Sequence, residues 1–262
     1  MWTRESKTAR AAFRGARLHT EAPYVYLPKV KTPWILVLSR AAAATAKRAA
    51  PEKAAPPKRT NDAERTRANI LEVARQEFAE KGFTGARIDE IADRTHTSKN
   101  MIYYYFESKE GLYRKVLEQA YGAIRAAEHQ LHLEDKPVLE ALRELVGFSF
   151  DYHSQHQDFV RLVMVENIGQ GAHIRDMASL TALNTGATDI CKDICKRGIK
   201  EGLIRKDMNP TQLHMTISAL SFYNVSNRYT FSEIYKVDMS SPEATKKRRE
   251  FVIDAILRLV KP

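Results

Sequence analysis

The sequence predicts an all-α protein in which a small N-terminal three-helix domain is followed by a larger helical domain. From Asn61 to the C-terminus, apolar residues recur at the spacing of amphipathic helices, and no segment shows the period-two alternation of a half-buried strand. The sequence shows no internal repeat either. The predicted divisions are a basic tail over 1–60, the three-helix domain over 61–115 and the larger helical domain over 116–262.

Four helices are predicted between the tail and about residue 125. The first begins at Asn61, which forms a variant capping box with Glu64, and it ends at Gly82. The second is short, the third covers about 98–105, and Ser108 is placed to cap the fourth. The apolar residues that share one face of the second helix are Ile88, Ile91 and Ala92.

Five further helices are predicted in the larger domain, and Pro and Gly mark their ends. Pro137 occupies a first-turn position, Gly169 and Gly202 follow helix ends, and Asn209 precedes the Pro that opens another helix. The predicted ranges are 137–153, 158–168, about 174–201, 210–229 and 244–260.

The positive charge of the chain lies in the tail. Residues 1–60 hold 13 Lys and Arg against three acids, which accounts for the whole net charge of +10. The basic composition therefore gives no argument that the helical part binds nucleic acid. Three interpretations of the tail stay open: a disordered leader, a basic arm that contacts phosphates, or a sequence upstream of a true start at about 37–60, since Met101 is the second Met.

The cysteine and hydropathy patterns exclude several classes of protein. Two cysteines one helical turn apart, Cys191 and Cys195, do not form the disulfide framework of a secreted protein. No window approaches the roughly 18 apolar residues of a membrane span. The apolar run Trp34–Leu38 is too short for a signal peptide. We therefore expect a cytoplasmic protein that has no membrane partner.

Residues 84–106 have the pattern of a helix-turn-helix, with helices at about 88–94 and 98–105 and a turn at 95–97. At about 100° per residue, the second helix divides into an outward and an inward arc. The inward arc holds Met101, Ile102 and Tyr105. The outward arc holds Lys99, Asn100, Tyr103 and Tyr104.

The outward arc has the chemistry that DNA requires. A cation, an amide and two phenols can reach phosphates, and Asn100 or Lys99 can reach a base edge. Ser98 and the free N–H groups at the helix start also suit a phosphate. The alternative is an aromatic core cluster at 103–105, but three consecutive tyrosines cannot all point inward.

Three segments resemble the N-terminal DNA-binding region of TetR-family regulators. They read TGARIDEIA at 84–92, TSKNMIYYYF at 97–106 and SKEGL at 108–112. Each segment alone is a weak signal, but the set is specific, and the resemblance covers about 61–115.

The resemblance implies that Lys99, Tyr103, Tyr104 and Lys109 contact DNA, and that Phe106 fixes the recognition helix against the rest of the domain. With the residues argued from the helical wheel and from the helix start, the predicted DNA contacts are Arg87, Ser98, Lys99, Asn100, Tyr103, Tyr104 and Lys109.

Three residues depart from the family pattern. Arg87 replaces a Thr, so it can reach a phosphate but lacks the capping role of Thr. The usual Ala-Gly of the turn is Thr95-His96, so the turn must form without glycine. Asn100 replaces the Gly that usually follows Lys. These changes affect the expected base preference more than the expected binding to DNA.

The resemblance also implies that the larger domain encloses a small-molecule pocket and that its last two helices pair with a second copy. The alternative for the candidate interface residues is that they face their own core. The candidate interface residues are Leu213, Ile217, Leu220, Val225, Phe251, Ile256 and Leu259.

Pocket candidates are the aromatic, thioether and amide residues of the middle helices, because small-molecule pockets are mainly apolar with a few polar groups. Most of them are expected to prove core residues. The candidates are Phe148, Tyr152, Phe159, Met164, Asn167, Met177, Asn184, Phe222 and Asn224.

Other chemistry has little support in the sequence. Cys191 and Cys195 share a helix face but fall short of a zinc site. No Gly-rich phosphate loop and no nucleophile elbow occurs. We therefore expect no enzyme, no cofactor and no metal. The residues interpreted as a solvated helix end are Asp151, His153, His156 and Asp158.

The function implied by the resemblance is a homodimeric, nucleoid-associated repressor that binds a near-palindromic double-stranded DNA operator. A small organic effector would shift the helix around 108–125 and change the spacing of two half-sites about 34–36 Å apart, or a multiple. The first alternative is a ligand-independent architectural or chromosome-organising DNA-binding protein. A helical enzyme or sensor that carries the same domain has the least support.

Overall fold

The computed structural model describes residues 58–262, and within this range it contains helices, turns and no strand. The prediction of an all-α protein is thereby confirmed. Residues 1–57, which make up most of the predicted basic tail, lie outside the described residues, so the three interpretations of the tail stay predictions.

Ten α-helices occur in the described range, and a short 3-10 turn at Leu133–Asp135 joins the fourth to the fifth. None of them is long and apolar enough to cross a membrane. They are α1 (Lys58–Gly85), α2 (Ile88–Thr95), α3 (Lys99–Phe106), α4 (Lys109–His129), α5 (Val138–Gln155), α6 (Gln157–Ile168), α7 (Ala178–Lys200), α8 (Pro210–Ser226), α9 (Arg228–Tyr235) and α10 (Pro242–Leu259).

Two of the predicted helix boundaries are wrong. α1 begins at Lys58 instead of Asn61, so Asn61 lies within the helix and is not its cap. The helix predicted over 210–229 is interrupted at Asn227, whose φ of −106° and ψ of 6° end α8 before α9 begins. The predicted end at Gly82 coincides with a kink in α1, where Gly82 adopts a φ of 69°.

The helices enclose two apolar cores. The first core is formed by α1, α2, α3 and α4, together with Phe159 and Leu162 of α6. The second is formed by α5, α7, α8 and α10, with Phe150 and Ile194 fully buried at its centre. α6 also packs along α1, so the helix-turn-helix region shares its core with the larger domain.

The turn between α2 and α3 forms without glycine. His96 adopts a left-handed conformation with φ 54° and ψ 38°, a region that residues with a Cβ seldom occupy. The neighbouring Thr95 is buried, and its hydroxyl donates to the carbonyl of Ile91 at 2.7 Å. Asn69 of α1 donates from its side-chain amide to the carbonyl of Thr95 at 3.5 Å. Contacts from α1 and α2 therefore hold the turn in place of a glycine.

Replacing His96 by Gly should raise the free energy of unfolding by about 1 kcal/mol, because Gly adopts the left-handed conformation without steric cost. Urea denaturation of both proteins measures the change. As a control, Ala68→Gly at an exposed position inside α1 should lower it by about 1 kcal/mol. A loss of stability in His96→Gly would show that the His side chain itself supports the turn.

Candidate DNA-binding surface and interior polar cluster

α3 rests on the first core through two buried side chains. Ile102 is fully buried and Phe106 is nearly so. The Arg67 guanidinium of α1 lies 5.6 Å from the centre of the Phe106 ring, where a cation is attracted to the aromatic face. The inward arc is only partly as predicted: Tyr105 is half-buried, but Met101 is 40% exposed.

All four residues of the predicted outward arc are exposed to solvent. Tyr104 is the most open of them, with 79% of its surface accessible. Lys99, Asn100 and Tyr103 lie on the same side of α3. Ser98 caps this helix, because its hydroxyl oxygen accepts from the Met101 amide at 3.2 Å. α3 therefore presents a row of donor groups on an anchored helix.

An acidic residue lies among the cations of this surface. Asp89 of α2 forms an ion pair with Lys99, and its second carboxylate oxygen is 3.6 Å from the Arg87 guanidinium. Exposed ion pairs contribute at most about 1 kcal/mol. A phosphate can therefore replace the carboxylate at both cations at little energetic cost.

Lys109 is more enclosed than the other predicted DNA contacts. Its ammonium donates to the Thr84 carbonyl at 3.4 Å and lies 5.0 Å from the centre of the Phe83 ring. Burial lowers the pKa of Lys109. These contacts tie the start of α4 to the end of α1, and the DNA contact of Lys109 stays a prediction.

A buried carboxylate connects α1 with α2. Glu77 is 1% exposed, and it accepts from the backbone N–H of Arg87 at 3.3 Å. Lys81 lies 2.9 Å away and Arg94, at the end of α2, 3.5 Å away. Among the described contacts no side chain caps α2 at Arg87, as expected from the missing Thr. Glu77 instead holds the backbone at that position from α1.

A groove of about 710 Å³, which was not predicted from the sequence, lies between the start of α1 and the helix-turn-helix turn. The only indication of this groove in the sequence is that polar residues recur at intervals of three or four along α1, which places them on one face of the helix. The groove is lined by Asp62, Ala63, Arg65, Thr66, Asn69, Thr95, His96, Thr97, Met101 and Tyr105.

Four of the predicted pocket residues meet around His153 in the larger domain. The ring centres of Phe148 and Tyr152 are 5.6 Å apart, and those of Tyr152 and Phe159 are 6.0 Å apart. His153 lies 5.9 Å from Phe159 and 5.7 Å from Phe222. The structure therefore brings aromatic residues of α5, α6 and α8 together.

The interpretation of the residues near 155 as a solvated helix end is wrong. His153 is only 5% exposed. Asp151 accepts from the Arg249 guanidinium at 2.9 Å, and Asp158 forms an ion pair with Arg75 of α1. His156 stacks on Tyr152 with ring centres 3.9 Å apart. All four residues make contacts that the charge pattern alone does not reveal.

The other pocket candidates are divided between the interior and the surface. Asn224 is fully buried. Asn167 is exposed and donates to the Val163 carbonyl of its own helix, so it does not join the aromatic cluster. Asn184 likewise donates to the Leu180 carbonyl. Met164 is half-buried on α6 and Met177 is buried at the start of α7.

Four buried polar atoms in this interior have no hydrogen-bond partner among residues 62–262. They are Arg125 Nε, His153 Nδ1, Ser221 Oγ and Asn224 Nδ2, which we name the interior polar cluster. A further nitrogen of Arg125 pairs with Glu128, which is also buried. An unsatisfied buried polar group costs about 1–3 kcal/mol, so such a group calls for an explanation. Arg125 and Ser221 were not among the residues predicted from the sequence.

The two cysteines lie in the second core and lack the surroundings of a reactive thiol. Burial raises the pKa of Cys191 to about 12 and also raises that of Cys195. Reactive cysteines instead have lowered pKa values and partial exposure. At neutral pH both side chains therefore stay protonated and act as apolar core residues.

Most of the predicted interface residues on α8 and α10 face their own domain. Leu213, Ile217 and Ile256 are buried in the second core, which excludes them from an interface, and Leu220 packs against that core. Val225 is buried as well. These five residues therefore agree with the alternative stated above, that the candidate interface residues face their own core.

The outer faces of the same two helices carry other apolar side chains. Phe251 and Leu259 of α10, which are both candidate interface residues, are exposed by 61% and 39%. Met215 and Tyr223 of α8 are exposed by 56% and 44%. α8 and α10 pack side by side, so these four residues lie on neighbouring helices.

Glu166 connects α6 with the helix-turn-helix region. Its buried carboxylate accepts from the backbone N–H groups of His173 at 2.7 Å and Ile174 at 3.2 Å. The His173 ring then packs on Phe83 of α1, with ring centres 4.2 Å apart, and on Tyr113 of α4 at 5.0 Å. Glu166 and His173 therefore link α6 to both α1 and α4.

The comparisons with known families agree with this architecture. Residues 70–116 match the family model of bacterial regulatory proteins of the tetR family, and residues 137–256 match the tetracyclin repressor-like C-terminal domain. The HTH-type transcriptional repressor NicS of Pseudomonas putida is 39% identical over 200 residues, which span 76% of this chain and 94% of that protein.

Other relatives match over less of their length or share mainly the fold. The repressor SCO4008 of Streptomyces coelicolor is 33% identical over 42% of this chain and 54% of its own length. The structure of the putative regulator SCO4942 from Streptomyces coelicolor has a TM-score of 0.58 and 25% identity, covering 75% of this chain and 99% of that one. A tetR-family protein from Rhodococcus RHA1 has a TM-score of 0.61 at 18% identity, over 75% and 97% of the two chains.

This chain belongs to the TetR family of transcriptional regulators. The resemblance inferred from residues 84–112 is confirmed, and so is the prediction of a DNA-binding regulator in place of an enzyme.

The stability of the protein should fall in acid because of His153. Burial, together with the charge of Arg125, lowers the pKa of His153 from about 6.5 to about 4. Between these values the unfolded chain binds the proton and the folded protein does not, so the free energy of unfolding decreases as the pH falls from 6.5 towards 4. The contribution of His153 to this decrease is about 3 kcal/mol at most. In His153→Gln the free energy of unfolding should change less steeply with pH over this range. In His129→Gln, at an exposed position, its dependence on pH should match that of the parent. Equal slopes in all three proteins would contradict the assignment.

Proposed function

We propose that this regulator is a homodimeric repressor that binds a near-palindromic operator through α3 of both copies and is released by a small organic effector. The observation that carries the proposal is the outward set Lys99, Asn100, Tyr103 and Tyr104, exposed on a helix whose opposite side is anchored in the core.

The dimensions of α3 suit the major groove. An α-helix with its side chains is about 10–12 Å across, and the major groove of B-DNA is about 12 Å wide. Asn100 and Lys99 lie at the start of the helix, where residues of a recognition helix contact base edges. Tyr103 and Tyr104 lie one turn further, where their hydroxyl groups can donate to phosphates.

The exposed apolar side chains of α8 and α10 support pairing with a second copy. Met215 and Tyr223 are eight residues apart, as are Phe251 and Leu259, and this spacing keeps each pair on one side of its helix. Two such helices from each copy form a four-helix interface around a two-fold axis. The interface we propose thus keeps the predicted helices but uses their outer faces.

Two contacts support a mechanical path from the interior of the larger domain to α3. α4 carries Arg125 of the interior polar cluster, and its first turn is tied to Thr84 through Lys109. α6 reaches α1 through the ion pair between Asp158 and Arg75. An effector that binds more tightly to one arrangement of α4 or α6 would shift the spacing of the two recognition helices.

Operator binding should depend on the outward face of α3. An operator would first be selected with the parent protein from random DNA duplexes, and its affinity measured by fluorescence anisotropy at fixed salt. Lys99→Ala combined with Tyr103→Ala should weaken binding about tenfold or more, through loss of one charged and one neutral DNA contact. Lys192→Ala, at an exposed site on α7, is the control. Unchanged affinity in the double variant would refute the assignment of α3, and enrichment of no sequence by the parent would favour the architectural alternative.

Dimer formation should depend on the outer faces of α8 and α10. Sedimentation velocity of the parent should give about twice the chain mass of 29.9 kDa. Met215→Asp with Phe251→Asp should give the monomer mass, because each interface would then bury four unpaired carboxylates. Ile168→Asp, at an 81% exposed position on α6, should leave the dimer intact. A dimer of the double variant would place the interface elsewhere.

A further inference from the structure

We propose that the interior polar cluster (Arg125, His153, Ser221 and Asn224) is the effector site and that its ligand is a small aromatic carboxylate. The inference rests on the proposed function, in which an effector controls operator binding. It identifies the residues that receive the effector and the chemical class of the molecule.

The four orphan atoms belong to three helices, and the middle one, α5, packs against both of the others. Arg125 belongs to α4, His153 to α5, and Ser221 and Asn224 lie one turn apart on α8. Each of these side chains is at least nine-tenths buried. Arg125 Nε and the Asn224 amide are donors, and the Ser221 hydroxyl can donate as well. Three donors that the described protein leaves unsatisfied therefore call for a ligand with acceptor oxygens.

Charge favours an anion among the ligands with acceptor oxygens. Glu128 pairs with Arg125, yet the positive charge of Arg125 still contributes, after burial, to the lowered pKa of His153 and of His214. The charge of Arg125 therefore acts on both imidazoles although it is paired with Glu128. Burial also raises the pKa of Glu128, so this residue can take up a proton when a second carboxylate approaches Arg125.

The walls of the site suit a flat ring. Tyr121 and Phe159 lie edge to face at 80°, Tyr152 and Phe159 at 82°, and His153 and Phe222 at 83°. Edge-to-face pairs expose ring faces and edges to which a further aromatic ring can pack. Tyr121 and Phe222 are only half-buried, so rotation of these side chains gives a route from the surface.

Isothermal titration of the full chain with benzoate and 4-hydroxybenzoate tests the proposal. Benzamide has nearly the same shape without the charge, and acetate has the charge without the ring. We expect at least one of the two aromatic acids to bind, benzamide to bind about tenfold or more weakly, and acetate to show no binding, because the charge-assisted hydrogen bonds and the ring contacts are both needed.

Variants then locate the site. Asn224→Leu and Arg125→Gln should each weaken binding of the aromatic acid by about tenfold, the effect of one lost hydrogen bond to a charged group. Arg143→Gln, at an exposed position on the same domain, should bind like the parent. Circular dichroism checks folding, and Asn224→Leu decides the outcome if Arg125→Gln leaves Glu128 unpaired and unfolds.

The outcomes separate this inference from the proposed function. No binding of either aromatic acid, or equal binding by the parent and Asn224→Leu, overturns the inference even when the parent binds its selected operator. Binding of the acid that leaves operator affinity unchanged overturns the effector role. A parent that selects no operator refutes the proposed function, whereas the titrations still decide which residues bind the acid.

Discussion

The arrangement of α1 and α2 depends on one buried carboxylate. Glu77 accepts from the backbone of Arg87 where α2 begins, and it also pairs with Arg94 where α2 ends. A single side chain of α1 therefore fixes both ends of the first helix of the motif. Since α3 packs on α2 and on the same core, its direction follows from this contact. A buried charge is stable only when it is paired and hydrogen-bonded, so the three partners of Glu77 are needed together.

How much could be predicted from the sequence differs between the two domains. Ile88, Ile91 and Ile102 point inward as their spacing requires, since α2 and α3 are short helices with distinct polar faces. Met101 is exposed although the helical wheel places it on the inward arc, because it borders the groove at the start of α1. A helical wheel contains no information about such a neighbour.

The larger domain shows why the remainder could not be predicted. α8 carries apolar residues on nearly all sides, from Leu213 and Met215 to Ile217 and Phe222, so periodicity does not show which side meets the core. The buried polar residues are a different problem. Arg125 and Ser221 are distant in the sequence, and only the packing of α4 and α8 with their common neighbours shows that both are enclosed. The burial of these polar residues depends on tertiary structure, which local sequence patterns do not contain.

Asp89 has a consequence for the way that DNA affinity responds to salt. When unpaired Lys and Arg side chains bind DNA, about one condensed counterion is released for each phosphate that they neutralise. This release makes the affinity fall steeply with ionic strength. In the protein without DNA, Lys99 and Arg87 are already paired with the carboxylate of Asp89. When a phosphate takes the place of the carboxylate, the two cations exchange one anion for another, and Asp89 stays close to the phosphate that has replaced it. The salt dependence of operator binding should then be shallower than the number of cations on this surface implies, and discrimination between sequences would rely more on Asn100.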